Sequence, residues 1–498
     1  MKIEIACQKI TDFTGDIIIV NLFEEVKTPG GATGAVDKAL GGIITQLIAS
    51  GEITGILGKT AVFHTFGKLK TARVMVVGLG TSLKFGLEQV RKASGAAARK
   101  ARELSAQRVG TIVHGAGIGG IDPEKAAQAL IEGTLLALYT FKEYKKPEYR
   151  EINDINVIEM NIDKIDAIKK GAARGQIIAE CQYIARDLVN EPANALTPML
   201  LDKRLKSLIK QLNLEEKIQY ESLNAEQMKK SGMDALLSVA RGSHNEPRFI
   251  LMKLKNSRKP LTCLIGKTVT FDSGGISLKR PEGMGRMKGD MSGGAAVIGA
   301  TLALARMNRN VNLMTIVPAV ENMPSGTASR PGDVVRAMNH TTIEIISTDA
   351  EGRMTLADAL CYAEKKGAET IIDVATLTGG SVVALGDITA AIMGNNQKLI
   401  NTLLCISEIT GEHFWQLPLF EEYKEQIKSD IADVKNSGGR KASAITAGIF
   451  LQRFVSKAQW MHIDIAGKEY AEKAQFYTPI GGTGFGTRSL VELIQTYI

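Results

Sequence analysis

Cysteine is scarce here, and its spacing rules out much. The five (Cys7, Cys181, Cys263, Cys361, Cys405) are odd in number and far apart. With no CxxC among them, neither a zinc ribbon nor a disulfide framework is indicated. Cys263 and Cys361 fall inside apolar runs and read as ordinary core residues. No apolar run reaches the ~18 residues that a membrane span needs. The opening stretch MKIEIACQKITDFTGD alternates and carries early acids, unlike a secretory leader. A cytoplasmic protein without a membrane partner is expected. Aromatics make up only 5% of the 498 residues, no long lysine-arginine run occurs, and basic residues are not interleaved with aromatic ones. The net charge of +8 and a pI near 9.0 permit contact with nucleic acid or another polyanion, but no motif supports it. A mildly basic solvated surface is the expectation.

What is present is a globular composition, 44% hydrophobic and 23% charged, with 50 glycines scattered as turn residues rather than as low complexity. The length predicts two to three domains. Residues 1–160 read as one α/β domain. Strand-like runs at 16–23, 60–66, 73–79 and 109–114 alternate with helical patterns at 86–104 and 123–144, which argues for a layered, mainly parallel sheet. Gly115-Ala-Gly-Ile-Gly-Gly120 fits GxGxxG, yet the acidic residue a dinucleotide site needs about 20 residues further on is missing. A tight strand-to-helix turn is expected there. The charged stretch 143–163 sets the domain boundary, and a helix over 164–189 leads into a second domain, 161–498. Strands near 248–254, 261–267, 311–317, 343–346, 370–376 and 460–465 alternate with helices, and the chemically rich stretches fall mostly where strands end. No internal repeat is apparent.

The richest stretch is Ser347-Thr-Asp-Ala-Glu-Gly-Arg-Met354, between an apolar run and a helical pattern. In an extended backbone Asp349, Glu351 and Arg353 point the same way. Two carboxylates and a guanidinium gathered at a buried strand end call for a charged object between them, and a divalent metal is the simplest. A surface turn of mixed charge is the plainer alternative. GKTVTFDSGGISLK and KGDMSGG add Lys267, Asp272, Lys279 and Asp290. Asp272, Asp290, Asp349 and Glu351 would then give four carboxylates, and such groups can bridge paired metals. One lysine could become a neutral amine ligand and the other stay cationic to meet an oxyanion. Alternatively, both simply neutralise acidic neighbours.

GKTVTFDSGGISLK, MKGDMSGGAAV and STDAEGRMTLADAL closely resemble signature stretches of the leucyl aminopeptidase (cytosol aminopeptidase) family, in the same order. ARDLVNEPAN, DVATLTGG, NSGGRKASAIT, HIDIAG and GGTGFGTRSL are similar too, as is TLLALYTFKEYK, so the likeness runs over nearly the whole chain. It implies an α/β fold with an N-terminal α/β (macro-domain-like) domain in an accessory or oligomerising role. A larger catalytic α/β domain with a mixed, mostly parallel central sheet follows.

It further implies an aminopeptidase that releases leucine-like N-terminal residues from peptides. Lys267, Asp272, Asp290, Asp349 and Glu351 match the ligands of two divalent metals per subunit, with Asp272 and Glu351 bridging. Mn²⁺ or Zn²⁺ suits the site, as do Mg²⁺ and Co²⁺. Lys279 and Arg353 match the catalytic cations, Lys279 for the oxyanion and Arg353 for a bicarbonate that shuttles a proton. Met287, Thr376, Leu377, Gly379 and Ala466 match substrate-binding positions, and the family is typically a homohexamer.

The departures are Thr268 for a usual glycine, Ser347 for a usual asparagine, and Glu469 where some members are apolar. His462, in a strand-like run, is expected to be a structural hydrogen-bonder. Another two-metal hydrolase, or a DNA- or partner-binding role, stays open as an alternative.

Overall fold

In the computed structural model, the described residues are all but Ile118, Asn256 and Ile498, with the side chain of Lys255 also outside the description. The chain forms two compact units. The first comprises Met1–Glu180 with Ile409–Gly411 and Glu472–Ile480, and the second holds the remainder.

The first unit carries β1 (Lys2–Cys7), β2 (Ile17–Leu22), β3 (Thr60–His64), β4 (Arg73–Gly78), β5 (Arg108–Ile112) and β6 (Asp154–Glu159). They order as β1-β6-β5-β2-β4-β3, parallel throughout except for antiparallel β3. The four runs expected as strands in this half are strands. The charged stretch 143–163 proves to contain β6, which the run of charges had hidden. β2 is buried on both faces, as a parallel strand between helices must be. Ile18, Val20 and Leu22 enter a core with Val36, Leu40 and Ile44 of the helices Gly31–Leu40 and Ile43–Ala49. No residue of the helices Leu87–Glu103 and Pro123–Leu138 belongs to that core. They pack on one another, and the former packs on β4. They serve the opposite face, where Ile17, Ile19, Met75 and Val77 are equally buried. The expected tight turn at the GxGxxG match is instead a longer connection over 113–122, and its Ile118 lies outside the described residues.

The second unit is built on β7 (Ile218–Leu223), β8 (Arg248–Lys255), β9 (Thr262–Gly266), β10 (Thr268–Asp272) and β11 (Asn312–Asn322). A small separate sheet takes β12 (Val334–Arg336) and β13 (Thr342–Glu344). The main sheet continues with β14 (Thr370–Ala375), β15 (Thr389–Gly394) and β16 (His413–Gln416). β17 (Val434–Lys435) joins the small sheet and β18 (Gln459–Asp464) the main one. The main order is β16-β15-β18-β14-β9-β11-β8-β7, with β10 on β11. Pairing is parallel from β18 through β14 and β9 to β11, and antiparallel at β15–β18 and where β8 meets β11 and β7. The two-domain α/β class with a mixed, mostly parallel sheet is therefore observed. The run at 343–346 lies in the small sheet rather than in the central one.

The central strands read as unbroken apolar runs because helices such as Ser292–Arg306 and Glu351–Lys365 cover them. The Ser292–Arg306 helix is itself buried almost throughout. Its glycines and alanines allow the close approach that this requires.

Candidate metal centre

The centre forms where β9, β10 and β14 end and the helix Glu351–Lys365 begins. Lys267 occupies the step between β9 and β10. Its amide donates to Val374 O (2.9 Å) and its carbonyl accepts from Gly294 N (2.8 Å), so its backbone is fixed from two sides. The side chain is buried, and Nζ meets Asp290 Oδ1 at 2.7 Å, Glu351 Oε1 at 2.7 Å and Thr376 O at 2.9 Å. Three contacts use all three ammonium protons. Gly352 makes this approach possible, since a Cβ there would lie 2.5 Å from Lys267 Cε.

Asp272 ends β10, paired in register with Asn322 on β11. Its Oδ1 accepts from Gly274 N (2.9 Å) and Asn322 Nδ2 (2.8 Å), and its Oδ2 lies 2.8 Å from Lys279 Nζ. Lys279 also contacts Asp349, which is more exposed than the other acids. Asp290 follows the short helical turn Met284–Gly289, and its Oδ1 accepts a second bond from Thr376 Oγ1 (2.7 Å).

The expectation that Asp349, Glu351 and Arg353 alternate along an extended segment is corrected. Helix begins at Glu351, so Glu351 and Arg353 lie within its first turn and diverge. Glu351 reaches Lys267, whereas Arg353 turns to donate from Nη1 to Asn436 O (2.7 Å).

Asp272, Asp290 and Glu351 offer oxygens that lie within 4.8 Å of one another, all buried. Burial, then the field of Glu351, raises the Asp272 carboxyl above the usual carboxylate range. Burial raises Asp290 well above it too, with Glu351 and Asp272 adding to the effect against the pull of Lys267. Burial works against the Lys267 charge, but Asp290, Glu351 and Asp272 override it and raise the group. Lys279 is raised for the same reasons, with Asp272 the main acidic partner. Asp349 is raised, chiefly by burial. Burial lowers the Arg353 guanidinium to about 10, against the fields of Glu351 and Asp464.

Among the described residues, Asp290 Oδ2, Glu351 Oε2 and Arg353 Nε are buried with no hydrogen-bond partner. Orphaned carboxylate oxygens in a dry site are costly unless a cation takes them. This donor set therefore fits divalent metal. A metal's charge would also reverse the field on Lys267 and favour its neutral amine.

The residues expected around the substrate lie close by. Thr376 is within the network just described. Leu377 N and Ala466 N both donate to Asp464 Oδ1, each at 3.1 Å. Met287 is half-buried and its carbonyl accepts from Asp290 N (3.2 Å), and Gly379 opens the helix Gly379–Leu385 at the surface.

Three supporting residues escaped the sequence reading. Asn322 joins Asp272 to Thr348 O (3.0 Å). Asn436 accepts from the amides of Ile346 and Ser347 through Oδ1, and Asp464 gathers the Leu377, Thr378 and Ala466 amides. Their only signal is position: Asn322 and Asp464 close apolar strands, and Asn436 opens the NSGGRKASAIT stretch. His462 is fully buried and its Nδ1 lies 2.5 Å from Asp373 Oδ1, in keeping with a structural role.

Comparison with known proteins gives matches over both units. A model described as the cytosol aminopeptidase family, catalytic domain, matches residues 183–491, and one for that family's N-terminal domain matches 19–148. A probable cytosol aminopeptidase of Geobacter sulfurreducens is 41% identical over 503 residues, covering 100% of each chain. One from Alkaliphilus metalliredigens is 39% identical over 502 residues, covering 100% of this chain and 99% of its own. Among solved structures, the bottromycin maturation enzyme BotP in complex with Mn is similar at TM-score 0.85 and 32% identity, covering 97% of this chain and 100% of that one. A tomato leucine aminopeptidase mutant is similar at TM-score 0.88 and 31% identity, covering 99% of this chain and 96% of that one.

Proposed function

The chain belongs to the cytosol aminopeptidase family and is a metal-dependent aminopeptidase, a hydrolase; from that premise we propose how its residues divide the work. Lys267, Asp272, Asp290, Asp349 and Glu351 hold two divalent ions, Mn²⁺ or Zn²⁺ being suitable, and Arg353 holds bicarbonate. When bound, the ions supply an acidified water and a Lewis acid for the scissile carbonyl, and the bicarbonate supplies a proton acceptor. The observation that carries this reading is the pair of buried oxygens without a partner among the described residues, Asp290 Oδ2 and Glu351 Oε2, both on members of the same three-carboxylate cluster.

Lys279 keeps its proton among Asp272 and Asp349 and meets the developing oxyanion. Arg353 is fixed by one nitrogen on Asn436 O, and its Nε, which has no partner among the described residues, is offered to the anion. Met287, Thr376, Gly379 and Ala466 receive the first side chain of the peptide, with a preference for leucine-like groups, and Leu377 contacts the substrate through its backbone. A free α-amine anchors the substrate, so blocked peptides are excluded. The N-terminal residues 1–160 act in assembly, and the enzyme works as a cytoplasmic homohexamer, which sedimentation analysis tests.

Hydrolysis of Leu-p-nitroanilide tests the chemistry. Activity is lost with chelator, returns with Mn²⁺ or Zn²⁺, and is absent in Asp349→Ala and on an N-acetylated substrate. Metal-loaded protein inert toward every free-amine peptide would overturn the reading.

A further inference from the structure

The first unit contains a cavity of about 870 Å³ that the aminopeptidase reaction does not use. That size falls in the range of small-molecule sites. Its place follows from topology. β2 and β5 are neighbours, but the helix after β2 packs on one face of the sheet and the helix after β5 serves the other. The strand order therefore reverses between them, and the crevice outside the carboxyl ends of such strands is where open α/β sheets take ligands. The cavity opens there, lined by Asn21 and Leu22 at the end of β2, Ile112 and Val113 at the end of β5, and Ile158 and Glu159 of β6.

Three kinds of surface meet in it. One is bare backbone: Gly30 and Gly31 enter the helix Gly31–Leu40, and Gly115, Gly117 and Gly119 belong to the GxGxxG match. The first inward bond of that helix runs from Gly34 N to Gly30 O (2.9 Å). Gly31, Ala32 and Thr33, whose amides precede it and stay outside the helix's own bonding, are among the residues that line the cavity. The second surface is cationic. Lys9 and Lys38 line the cavity, and Lys164 reaches across to Ala116 O (2.8 Å). Among the described lining residues the one acid is Glu159, whose Oε1 already accepts the amides of Met160 and Asn161, both at 2.8 Å. The third is apolar, with Phe23, Val26, Pro29, Leu79 and Met160. Asn21 stands among them, its amide nitrogen 3.0 Å from Nδ1 of the buried His114. Burial holds that imidazole neutral, with its pKa lowered to about 4, and because the Asn21 amide nitrogen can only donate, Nδ1 is the accepting nitrogen in this pair.

We propose that this cavity binds a nucleoside diphosphate or an ester of one, the diphosphate on the glycine backbone under the lysines and the base on the apolar floor. The missing acidic residue argues only against the NAD type of motif, since that residue reads a ribose in a longer ligand. Backbone amides and lysines select the diphosphate, and Asn21 and Glu159 Oε2 offer acceptors to a sugar hydroxyl.

The test is calorimetric titration of the full metal-loaded enzyme with ADP, UDP, adenosine and inorganic pyrophosphate. At Gly117 an added side chain meets no atom within 4 Å and the backbone φ is ordinary, so Gly117→Asp introduces a carboxylate without an internal clash. The expected result is micromolar to low-millimolar binding of ADP or UDP, at least about tenfold weaker in Gly117→Asp and in Lys38→Glu. Leu-p-nitroanilide turnover and melting temperature should stay unchanged in both variants. No binding of either diphosphate at millimolar concentration overturns the proposal. So does binding that both variants leave intact, or pyrophosphate or adenosine alone binding as tightly as ADP.

Discussion

Lys267 Nζ lies 2.7 Å from Asp290 Oδ1, while Asp290 Oδ2, equally buried, has no partner among the described residues. The pair is thus half satisfied: the lysine closes one side of the carboxylate and leaves the other to a cation. On the proposed reading, the ammonium holds the cluster together without metal, and the neutral amine would join the ligands when metal binds.

Lys267→Met tests this double role. In chelator it leaves Asp290 and Glu351 without their buried cation, which should cost about 3–5 kcal/mol. Added Mn²⁺ should recover much of that, because an ion held at 100 times its dissociation constant stabilises by about 2.7 kcal/mol. Thermal melts with and without metal make the comparison. An equal loss in both conditions would show that metal and lysine do not share the same carboxylates.

Lys279→Ala should lower kcat by about 10²–10³, the usual cost of removing one oxyanion donor, with little change in KM. Steady-state kinetics on Leu-p-nitroanilide measure it, and metal content by atomic absorption should remain at the wild-type ratio. A loss of bound metal instead would make Lys279 a support for Asp272 and Asp349 rather than a catalytic group.

Stability should depend on pH through His114. Burial lowers its folded pKa to about 4, against about 6.5 for an exposed histidine. Between those values the unfolded chain binds more protons, so stability rises with pH across the window and is lost as pH falls through it. The span corresponds to at most about 3 kcal/mol. Melting temperature against pH should show the rise, and His114→Gln, which keeps an acceptor for Asn21, should flatten it.

His462 should act in the opposite sense. Burial alone would lower it, but Asp373 at 2.5 Å, with Asp464, raises it above its ordinary value. Its contribution is present below the unfolded pKa and fades as pH climbs through the folded one. Asp373 also accepts from Trp460 Nε1 (2.7 Å). Asp373→Asn should therefore cost about 3–5 kcal/mol, as for a broken buried pair. The imidazole titration, followed by NMR, should move down in the same variant.

The charged side chains of the site were legible because they stand in short polar, glycine-rich stretches that follow apolar strands or precede helices. Lys267, Asp272 and Asp290 need no knowledge of pairing to be noticed. What brings them together was not legible, since the contacts join strands and loops far apart in the chain. Asn322 and Asp464 look like ordinary strand ends until register sets them beside Asp272 and Leu377. Spacing also misplaced Glu351 and Arg353: helical periodicity is evident after Met354, but nothing before it shows that the helix starts at Glu351, where the preceding Ala350 makes no side-chain cap. β6 was missed because Asp154 and Glu159 bracket a strand whose inner residues are buried.

Thr376 gives its carbonyl to Lys267 and its hydroxyl to Asp290, so the substrate pocket proposed above and the charge centre share one residue. A designer seeking a new side-chain preference would find that position closed, because any exchange there disturbs the ionic network with the fit. Gly379 is a better place to begin: it lies at the surface, and a new Cβ meets no atom within 4 Å. Selectivity in this scaffold should therefore evolve from the pocket's outer rim inward, with the inner wall inherited unchanged.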